Sequence, residues 1–583
     1  MLLFAVPSPG WAQNTDKGKE NFLFGHPIIY NHSSKNYNAG SQIWDIEVAH
    51  GRIFFANNEG LLVYDGISWK NFPTPNSTIV RSLFKGPKGK IYTGAQGELG
   101  YYELKKEGNI EYVDMTSRVG IPQNELSEIW NIFLLDSALC FSSGQSLYHV
   151  DNKLKVVSAQ NTLECMAQID SGVWFYENKT GMKMLESDTS AFVFETPFFA
   201  DKKVVEVLQV KSDSIFILTE KNGIYLSNGQ ELEKWETNAD AFLKENTISC
   251  AEFFSDGLVI GTYFGGVAMV DFNGKTNLYL DISNGLQSNN INTIKMAPNG
   301  VLWIGTNRGI AEVDLESRKR FFFPDGPLRG SVYDLDVWNG NLFFSSSNGL
   351  YYIKEHDYYN PLSDLKFKIV PGTEGQCWGT DIIEGQLFCA HHKGALIVDQ
   401  NLTARKFSTH QGAWKFVELD PGIIAVGFYY GISIYKRRGK SLTEILKVPN
   451  FEESSRIMVK DKYDNLWVSH PYKSVYRFRF DDAYKAAELR KYSKGEGLKS
   501  SNKNYVDLVD SLCFVTNPSG IYRYNNHLDS FEVAKEWNAL FGADNYLRRI
   551  KQVDNDLWCI TDSFTAKIER QAVGVDLSTQ IIR

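Results

Sequence analysis

The sequence predicts an all-β protein built as two consecutive seven-bladed β-propellers of four-stranded antiparallel blades. One pattern of strand, turn, strand, Gly and strand recurs in about thirteen copies, spaced by roughly 42 residues, which is the period of a propeller blade. Most copies also have a turn rich in Gly, Asn or Asp before their second strand. A unit of this period cannot bury its apolar faces alone, so the copies must pack radially against one another.

The repeat is clearest in residues 290–323, NINTIKMAPNGVLWIGTNRGIAEVDLESRKRFFF, and in residues 79–104, IVRSLFKGPKGKIYTGAQGELGYYEL. The best candidate for a helix is Ala483–Lys491, in an insertion between blades. The predicted blades open at Ile43, Ile79, Ile129, Leu163, Val204, Ile248, Ile291, Val332, Trp378, Trp414, Arg456, Tyr505 and Tyr546.

The order of segments follows from these openings. Residues 1–13 are apolar and resemble the remnant of a signal peptide, which indicates export. Residues 14–42 form a lead-in that contains a strand expected to close a ring and so remove an exposed edge. Because single propellers usually have four to eight blades, we expect one ring over residues 43–326 and a second over residues 327–583, joined near the sequence DGPLRG.

Composition excludes several classes of protein. A net charge of −8 with mixed signs along the chain gives no basic stripe, so we expect no nucleic-acid contact by this segment. No window reaches the run of about 20 apolar residues that a membrane helix needs. The seven cysteines form no CxxC pair and most lie in apolar strands, which predicts small buried side chains rather than a disulfide framework or a metal site.

Three stretches near the N-terminus resemble the sensor region of two-component-regulator propeller proteins of the Bacteroidetes type with a triple-tyrosine module. They are PIIYNHSSKNYNAGSQIWDI, FFANNEGLLVYDGISWKNFPTPNSTIVRSL and GKIYTGAQGELGYYEL. The copies NGVLWIGTNRGI at 299–310 and DNLWVSHPYKSV at 464–475 resemble the repeat motif of that family. The resemblance extends from about Gly25 to the end of the sequence.

The resemblance implies a periplasmic sensor region of an inner-membrane protein, made of two seven-bladed propellers. In the family a triple-tyrosine domain, a membrane helix and a histidine-kinase or helix-turn-helix output follow, and glycan fragments control polysaccharide-utilisation genes. This sequence ends at Arg583 without those downstream domains, so we expect either a sensor fragment or a stand-alone propeller. Signal transduction would need the missing partners.

No motif for catalysis, a metal or a cofactor is found, so the sequence predicts no catalytic residue, no metal ligand and no cofactor. The segment GPKGK at 86–90 lies in a hairpin turn, whereas a phosphate loop opens a helix. His391 and His392 are adjacent, and on a strand they would point to opposite faces and could not hold one metal together.

Aromatic and histidine side chains collect on the predicted loops of the second ring. Ligands of propellers usually bind over one end of the central channel, and sugar rings stack on aromatic planes there. In the first ring, Trp44, Trp130, Tyr263 and Phe264 are the comparable aromatics. The candidate ligand-binding residues are Trp378, His391, His392, Trp414, Phe428, Tyr429, Tyr430, His470 and Tyr472. Packing between blades and a protein interface are the alternative roles for this set.

The sequence and the resemblance together favour a non-enzymatic sensor module that binds an oligosaccharide. The first alternative is a scaffold for protein contacts, including a homodimer. The second is a propeller lyase or glycoside hydrolase, for which Asp381 and Glu418 would be the candidate carboxylates.

Overall fold

The computed structural model describes residues 26–582 with short gaps, and every structural statement below refers to these described residues. The gaps are 106–108, 120, 122–125, 136–137, 151–153, 170–171, 187–188, 195–197, 212–213, 228–231, 316–327, 329, 355–356, 358–365, 471, 542–545, 554–555, 563 and 571–576. The predicted signal-peptide remnant at 1–13 lies outside the described residues, as does most of the predicted joint at 325–330.

Thirteen four-stranded antiparallel sheets make up almost all of the described chain, which confirms the predicted all-β class. The chain divides into two compact units between Phe323 and Pro324, which we call the N-terminal unit and the C-terminal unit. The first strand is β1 (Ile28–His32). Four helices are short: α1 (Ser34–Tyr37), α2 (Thr116–Val119), α3 (Asp240–Asn246) and α4 (Lys535–Phe541).

The N-terminal unit contains seven of these sheets. Sheet 1 is β2 (Ile43–Ala49), β3 (Arg52–Asn57), β4 (Gly60–Tyr64) and β5 (Trp69–Phe72); sheet 2 is β6 (Val80–Lys85), β7 (Ile91–Ala95), β8 (Leu99–Leu104) and β9 (Ile110–Asp114); sheet 3 is β10 (Ile129–Leu135), β11 (Ala138–Ser143), β12 (Ser146–Val150) and β13 (Leu154–Ser158); sheet 4 is β14 (Leu163–Ile169), β15 (Gly172–Glu177), β16 (Gly181–Glu186) and β17 (Thr189–Phe192); sheet 5 is β18 (Val204–Lys211), β19 (Ser214–Thr219), β20 (Ile224–Ser227) and β21 (Leu232–Trp235); sheet 6 is β22 (Ile248–Phe254), β23 (Gly257–Thr262), β24 (Val267–Asp271) and β25 (Thr276–Leu280); sheet 7 is β26 (Ile291–Met296), β27 (Val301–Thr306) and β28 (Gly309–Asp314), completed by β1.

The C-terminal unit contains six such sheets among its described residues. Sheet 8 is β29 (Val332–Trp338), β30 (Asn341–Ser346), β31 (Gly349–Lys354) and β32 (Lys368–Ile369); sheet 9 is β33 (Cys377–Ile383), β34 (Gln386–His391), β35 (Gly394–Val398) and β36 (Ala404–Lys406); sheet 10 is β37 (Ala413–Asp420), β38 (Ile423–Phe428), β39 (Ile432–Arg438) and β40 (Ser441–Lys447); sheet 11 is β41 (Ile457–Lys460), β42 (Leu466–Ser469), β43 (Val475–Phe480) and β44 (Ala487–Tyr492); sheet 12 is β45 (Tyr505–Val509), β46 (Leu512–Asn517), β47 (Gly520–Asn525) and β48 (Ser530–Val533); sheet 13 is β49 (Leu547–Val553), β50 (Asp556–Thr561), β51 (Thr565–Arg570) and β52 (Leu577–Ile582).

The seven sheets of the N-terminal unit close into a ring. The first strands of sheets 1 to 7 contact one another in sequence, and β26 contacts β2 in turn. Strand β1 pairs antiparallel with β28, so a segment from the start of the described chain completes the last sheet. The Asn292 side chain donates a hydrogen bond of 3.0 Å to the Ile43 carbonyl across this closure. Tyr37, Phe55 and Trp303 lie in one buried cluster beside it.

In the C-terminal unit, the first strands of sheets 8 to 13 contact one another in sequence. Six sheets are described there, so the seventh blade of the second ring stays a prediction. Between neighbouring sheets lie separate apolar clusters, such as the one formed by Phe388, Phe416 and Tyr435. Because blades pack on both sides, second strands such as β27 are buried on both faces and appear as continuous apolar runs in the sequence.

The predicted helix at Ala483–Lys491 is wrong, because residues 487–492 form the outer strand β44 of sheet 11. This strand pairs along its whole length with β43, for example Phe478 with Leu489. Its alternating charged side chains suit an edge strand, which charges protect from further pairing. Ala, Glu and Lys are also good helix formers, which explains the wrong assignment.

All seven cysteines are buried, as the sequence predicts, and the structure joins none of them in a disulfide. Within the part of the chain that the structure describes, no helix is long and apolar enough to cross a membrane.

Candidate functional site

Most inner strands have a β-bulge near their start that turns one side chain toward the channel mouth. In all seven sheets of the N-terminal unit, the strand register shifts after the first residue of the inner strand. The same shift occurs in sheets 8, 9, 10 and 13. A bulge leaves one residue without a ladder partner and turns its side chain away from the regular alternation. The residues in this position therefore line the mouth.

Three bulge residues of the C-terminal unit and one loop residue form a continuous row of rings, which we call the aromatic shelf: Tyr333, Trp378, Trp414 and Tyr429. Ring centroids are 5.1 Å apart for Tyr333 and Trp378, 4.7 Å for Trp378 and Trp414, and 5.1 Å for Trp414 and Tyr429. Tyr333 is exposed, and the other three rings are half-buried. The structure thus brings together three of the predicted site residues and adds Tyr333.

Two hydrogen bonds hold Tyr429 in place on the shelf. The indole Nε1 of Trp378 donates to the Tyr429 hydroxyl at 2.9 Å, across two neighbouring sheets. The backbone N–H of Tyr429 donates to the Gly412 carbonyl at 2.8 Å. A Cβ at Gly412 would lie 2.3 Å from the Tyr429 ring, and Gly412 has a φ of +68°, so glycine is required twice over. These contacts fix the Tyr429 ring beside Trp378 before any ligand binds.

Arg456 immediately precedes β41 and contacts the shelf at Trp414. Its guanidinium carbon lies 5.0 Å from the Trp414 ring centroid. The Arg456 side chain is exposed and makes no ion pair with an acidic group of the described chain. The buried indole Nε1 of Trp414 also has no hydrogen-bond partner among the described atoms. Such orphan donors are rare in native proteins.

His391 and His392 form a pair close to the start of β33, but their geometry differs from the prediction. Their ring centroids are only 4.3 Å apart, because β34 ends at His391 and the chain turns there. The expectation that the rings point to opposite faces is therefore wrong. Burial, with a contribution from the nearby His392, lowers the pKa of His391 to about 4, so this ring is neutral at physiological pH. No group of three or more metal-binding side chains occurs among the described residues.

The remaining predicted site residues lie elsewhere. Phe428 is 1% exposed and belongs to the apolar cluster between sheets 9 and 10, so its side chain packs in the core. Tyr430 and Tyr472 are 74% and 77% exposed on loops. The ring centroids of His470 and Tyr472 are 6.2 Å apart, and burial lowers the pKa of His470. No described ring contact joins Tyr430, His470 or Tyr472 to the shelf.

Sequence reasoning left Tyr333 and Arg456 out of the site. The signal that could have found them is their place in the repeat, because Tyr333 takes the same bulge position as Trp378 and Trp414. Arg456 opens the next copy along the chain.

The mouth of the N-terminal unit contains a different arrangement at the same bulge positions. Arg81 lies between Trp44 and Trp130, with its guanidinium carbon 4.1 and 4.7 Å from the two ring centroids. Glu128 accepts a hydrogen bond of 2.7 Å from Arg81 Nη2, and the Arg81 side chain is only 10% exposed. The Trp44 indole donates to Asn58 Oδ1 at 2.7 Å. Glu128 thus balances the charge of Arg81 within the protein, while the buried Arg81 Nη1 has no hydrogen-bond partner among the described atoms and Trp130 is 42% exposed.

Below the shelf, the channel wall contains paired charges. Asp381 is the carboxylate that the hydrolase alternative would need. It accepts a hydrogen bond of 3.0 Å from the Phe416 N–H and forms an ion pair with Lys415 Nζ, so it connects two neighbouring inner strands. Burial raises the pKa of Asp381, although Lys415 opposes this shift. Glu418, the second candidate, is exposed.

Comparison with known proteins supports the fold and one repeat. Residues 285–308 match the family model of the two component regulator propeller, as the sequence resemblance predicts. The chain is similar to the extracellular domain attributed to the hybrid two component system BT3049 from B. thetaiotaomicron, with 14% identity and a TM-score of 0.69. This similarity covers 93% of the present chain and 77% of the other.

Two further solved structures have lower scores. The extracellular domain attributed to the one component system BT4673 from B. thetaiotaomicron is 16% identical, with a TM-score of 0.40 over 95% of this chain and 78% of that one. Virginiamycin B lyase from Staphylococcus aureus is 13% identical, with a TM-score of 0.40 over 49% of this chain and 99% of that one. No curated protein sequence matches significantly. The chain therefore contains a two component regulator propeller repeat and has the fold of an extracellular propeller domain from a B. thetaiotaomicron signalling system.

Proposed function

We propose that this chain is the extracytoplasmic sensing module of a transmembrane regulator and that it binds a glycan fragment on the aromatic shelf without acting on it. The observation that carries the proposal is the continuous row of four rings at one channel mouth. The matched repeat and the shared fold support the class of module. Its periplasmic location is part of the same proposal.

The shelf suits a saccharide for a physical reason. Sugar rings present faces of C–H groups that pack on aromatic planes, while their hydroxyls need polar partners at the edge. Here the hydroxyls of the exposed Tyr333 and of Tyr429 are the polar groups of the shelf rings. Because Tyr429 is held in advance, binding would cost little side-chain entropy.

A sensing role also needs a change that other domains detect. A ligand shifts a conformational equilibrium only by the difference in its affinity for the two states. We propose that the shelf is the ligand-binding part and that a downstream triple-tyrosine and output domain reads its state to control polysaccharide-utilisation genes. We expect no glycosidase or lyase activity, because the Asp381 carboxylate is held by Lys415 and the Phe416 N–H.

The experiment is thermal unfolding and calorimetric titration of this chain with a panel of oligosaccharides. A ligand at about one hundred times its Kd adds about 2.7 kcal/mol to the stability of the native state, which gives a measurable rise in Tm. We expect a rise with one sugar class and no new reducing ends. If no saccharide binds, the proposed function is wrong.

A protein contact surface is the second candidate, and the exposed rings of Tyr430 and Tyr472 favour it. Aromatic side chains are enriched at protein interfaces. A homodimer through these loops would give a mass that rises with concentration in light scattering, and the double variant Tyr430→Ala, Tyr472→Ala would abolish the rise. A constant monomer mass would contradict this candidate.

A further inference from the structure

The channel mouth of the C-terminal unit contains a cation in contact with the shelf that the described protein leaves without a counter-ion. Arg456 lies against Trp414, and no acidic side chain of the described chain forms an ion pair with it. Two acidic residues of the same region have other partners, since Glu453 binds Lys473 and Glu444 binds His410, and Glu452 is exposed with no described ion pair to Arg456. Arg456 is exposed, so solvent and solutes reach it.

The contact with Trp414 leaves the N–H donors of Arg456 without a described hydrogen-bond partner. A cation–π contact uses the face of the planar guanidinium, whereas its N–H donors point outward in the plane. These donors match the two oxygens of a carboxylate and also bind sulfate oxygens. The indole limits the orientations of the guanidinium, so a ligand beside Trp414 meets a donor set that is partly ordered already.

We infer that the ligand is an acidic saccharide and that Arg456 determines this specificity by binding its anionic group. The inference rests on the proposed function. In a uronic acid the carboxylate extends from the edge of the sugar ring. A ring stacked on the shelf therefore presents its carboxylate sideways, toward a cation at the rim. A sulfate ester on a neutral sugar is the other source of the same charge.

The mouth of the N-terminal unit contains an arginine whose charge is balanced by an acidic residue. Arg81 also contacts tryptophan rings, but Glu128 accepts hydrogen bonds from its Nε and Nη2 at 3.3 and 2.7 Å. The indoles of Trp44 and Trp130 cover Arg81 on both sides. Glu128 provides the carboxylate that pairs with Arg81 in the N-terminal unit. At Arg456, the anionic group of the ligand would take this role.

The test is calorimetric titration of the full chain with acidic and neutral oligosaccharides of equal length. The acidic probes are oligogalacturonate, alginate and hyaluronan oligosaccharides, with sulfated and unsulfated chondroitin disaccharides to separate sulfate from carboxylate. We expect an acidic probe to bind, to bind more weakly as salt rises, and to bind Arg456→Gln about tenfold more weakly or worse. Arg456→Lys keeps the charge without the planar fork and should recover part of the affinity.

The control is Arg438→Gln, which removes an exposed arginine from the outer part of sheet 10 and should leave affinity unchanged. Circular dichroism checks that each variant is folded. Equal affinity for acidic and neutral probes, or equal effects of Arg456→Gln and Arg438→Gln, would overturn the inference while leaving the sensor function intact. Failure of every saccharide to bind would overturn the proposed function and this inference with it.

Discussion

The two channel mouths share a backbone feature, the β-bulge, but differ in whether the arginine beside the tryptophans has an acidic partner. In both units β-bulges near the start of inner strands present side chains at the mouth, and in both units a tryptophan contacts an arginine there, although Arg456 precedes a strand without this bulge. In the N-terminal unit, Glu128 neutralises Arg81 and the tryptophans cover it. In the C-terminal unit, the rings form an open row and Arg456 has no acidic partner in the described chain.

This difference indicates that a propeller mouth can bind a ligand where a charged side chain stays exposed and has no counter-ion within the protein. Arg81 is nine-tenths buried, is ion-paired with Glu128 and lies between two tryptophan rings, which is typical of a cluster that stabilises the fold. Tyr333 and Arg456 remain exposed, and the indole N–H of Trp414 has no described partner. The second mouth therefore keeps an exposed arginine without an acidic partner in the described chain, whereas the arginine of the first mouth is buried and ion-paired.

The largest expected effect is on ligand binding when one tryptophan is removed from each mouth. Trp414→Ala deletes the ring that contacts Trp378, Tyr429 and Arg456, and we expect the affinity for the glycan ligand to fall about 30-fold or more. Trp130→Ala removes a comparable ring from the N-terminal mouth and should leave affinity unchanged. Calorimetry measures both. The reverse result would place the site in the N-terminal unit.

The next effect concerns how the shelf is held in place. Gly412→Ala puts a methyl group 2.3 Å from the Tyr429 ring and should push that ring away from Trp378, lowering affinity about tenfold. Gly439→Ala is the matched control, because Gly439 has a φ of +63° with no atom near the added Cβ. Both variants should lose about 1 kcal/mol of stability from the positive φ. If both bind the ligand equally well, the position of Tyr429 is irrelevant to binding.

The smallest expected effect is on the pH dependence of stability, which differs between the two channel walls. Burial, with the neighbouring Glu252 charge, raises the pKa of Glu206 to about 8. The folded state thus binds this proton more tightly than the unfolded chain, whose glutamates titrate near about 4.3, so stability falls as pH rises between these values. Glu206→Gln should therefore be more stable than the wild type at pH 8 and equal to it at pH 4.

Urea unfolding at a series of pH values measures this difference. Glu233→Gln, at an exposed site in sheet 5, is the control and should follow the wild-type profile. Asp381→Asn in the C-terminal channel should instead destabilise at pH 8, because Lys415 loses its ion-pair partner. Stabilisation by both substitutions would show that the two channel walls are electrostatically alike.

Much of the fold was predictable because each blade has a recognisable local sequence pattern. Apolar second strands such as β27 and turns such as Pro298–Gly300 are set by neighbouring residues, so their period is visible in the sequence. The helix at 483–491 was wrong because an outer strand protected by charges has the composition of a helix. For the site, the aromatic loops pointed to Trp378, Trp414 and Tyr429. Phe428 adjoins Tyr429 in sequence, yet its side chain points into the core.

By itself the sequence determined the all-β class, the blade period, the burial of the cysteines and the aromatic richness of the second half. These properties depend on local propensity and on apolar patterning within one repeat. Only the tertiary structure decided which mouth residues meet and which charges they keep. Trp378, Trp414 and Arg456 come from successive blades, and radial packing with a bulge brings them together. Whether an arginine is neutralised depends on its neighbour in space, as Glu128 shows for Arg81.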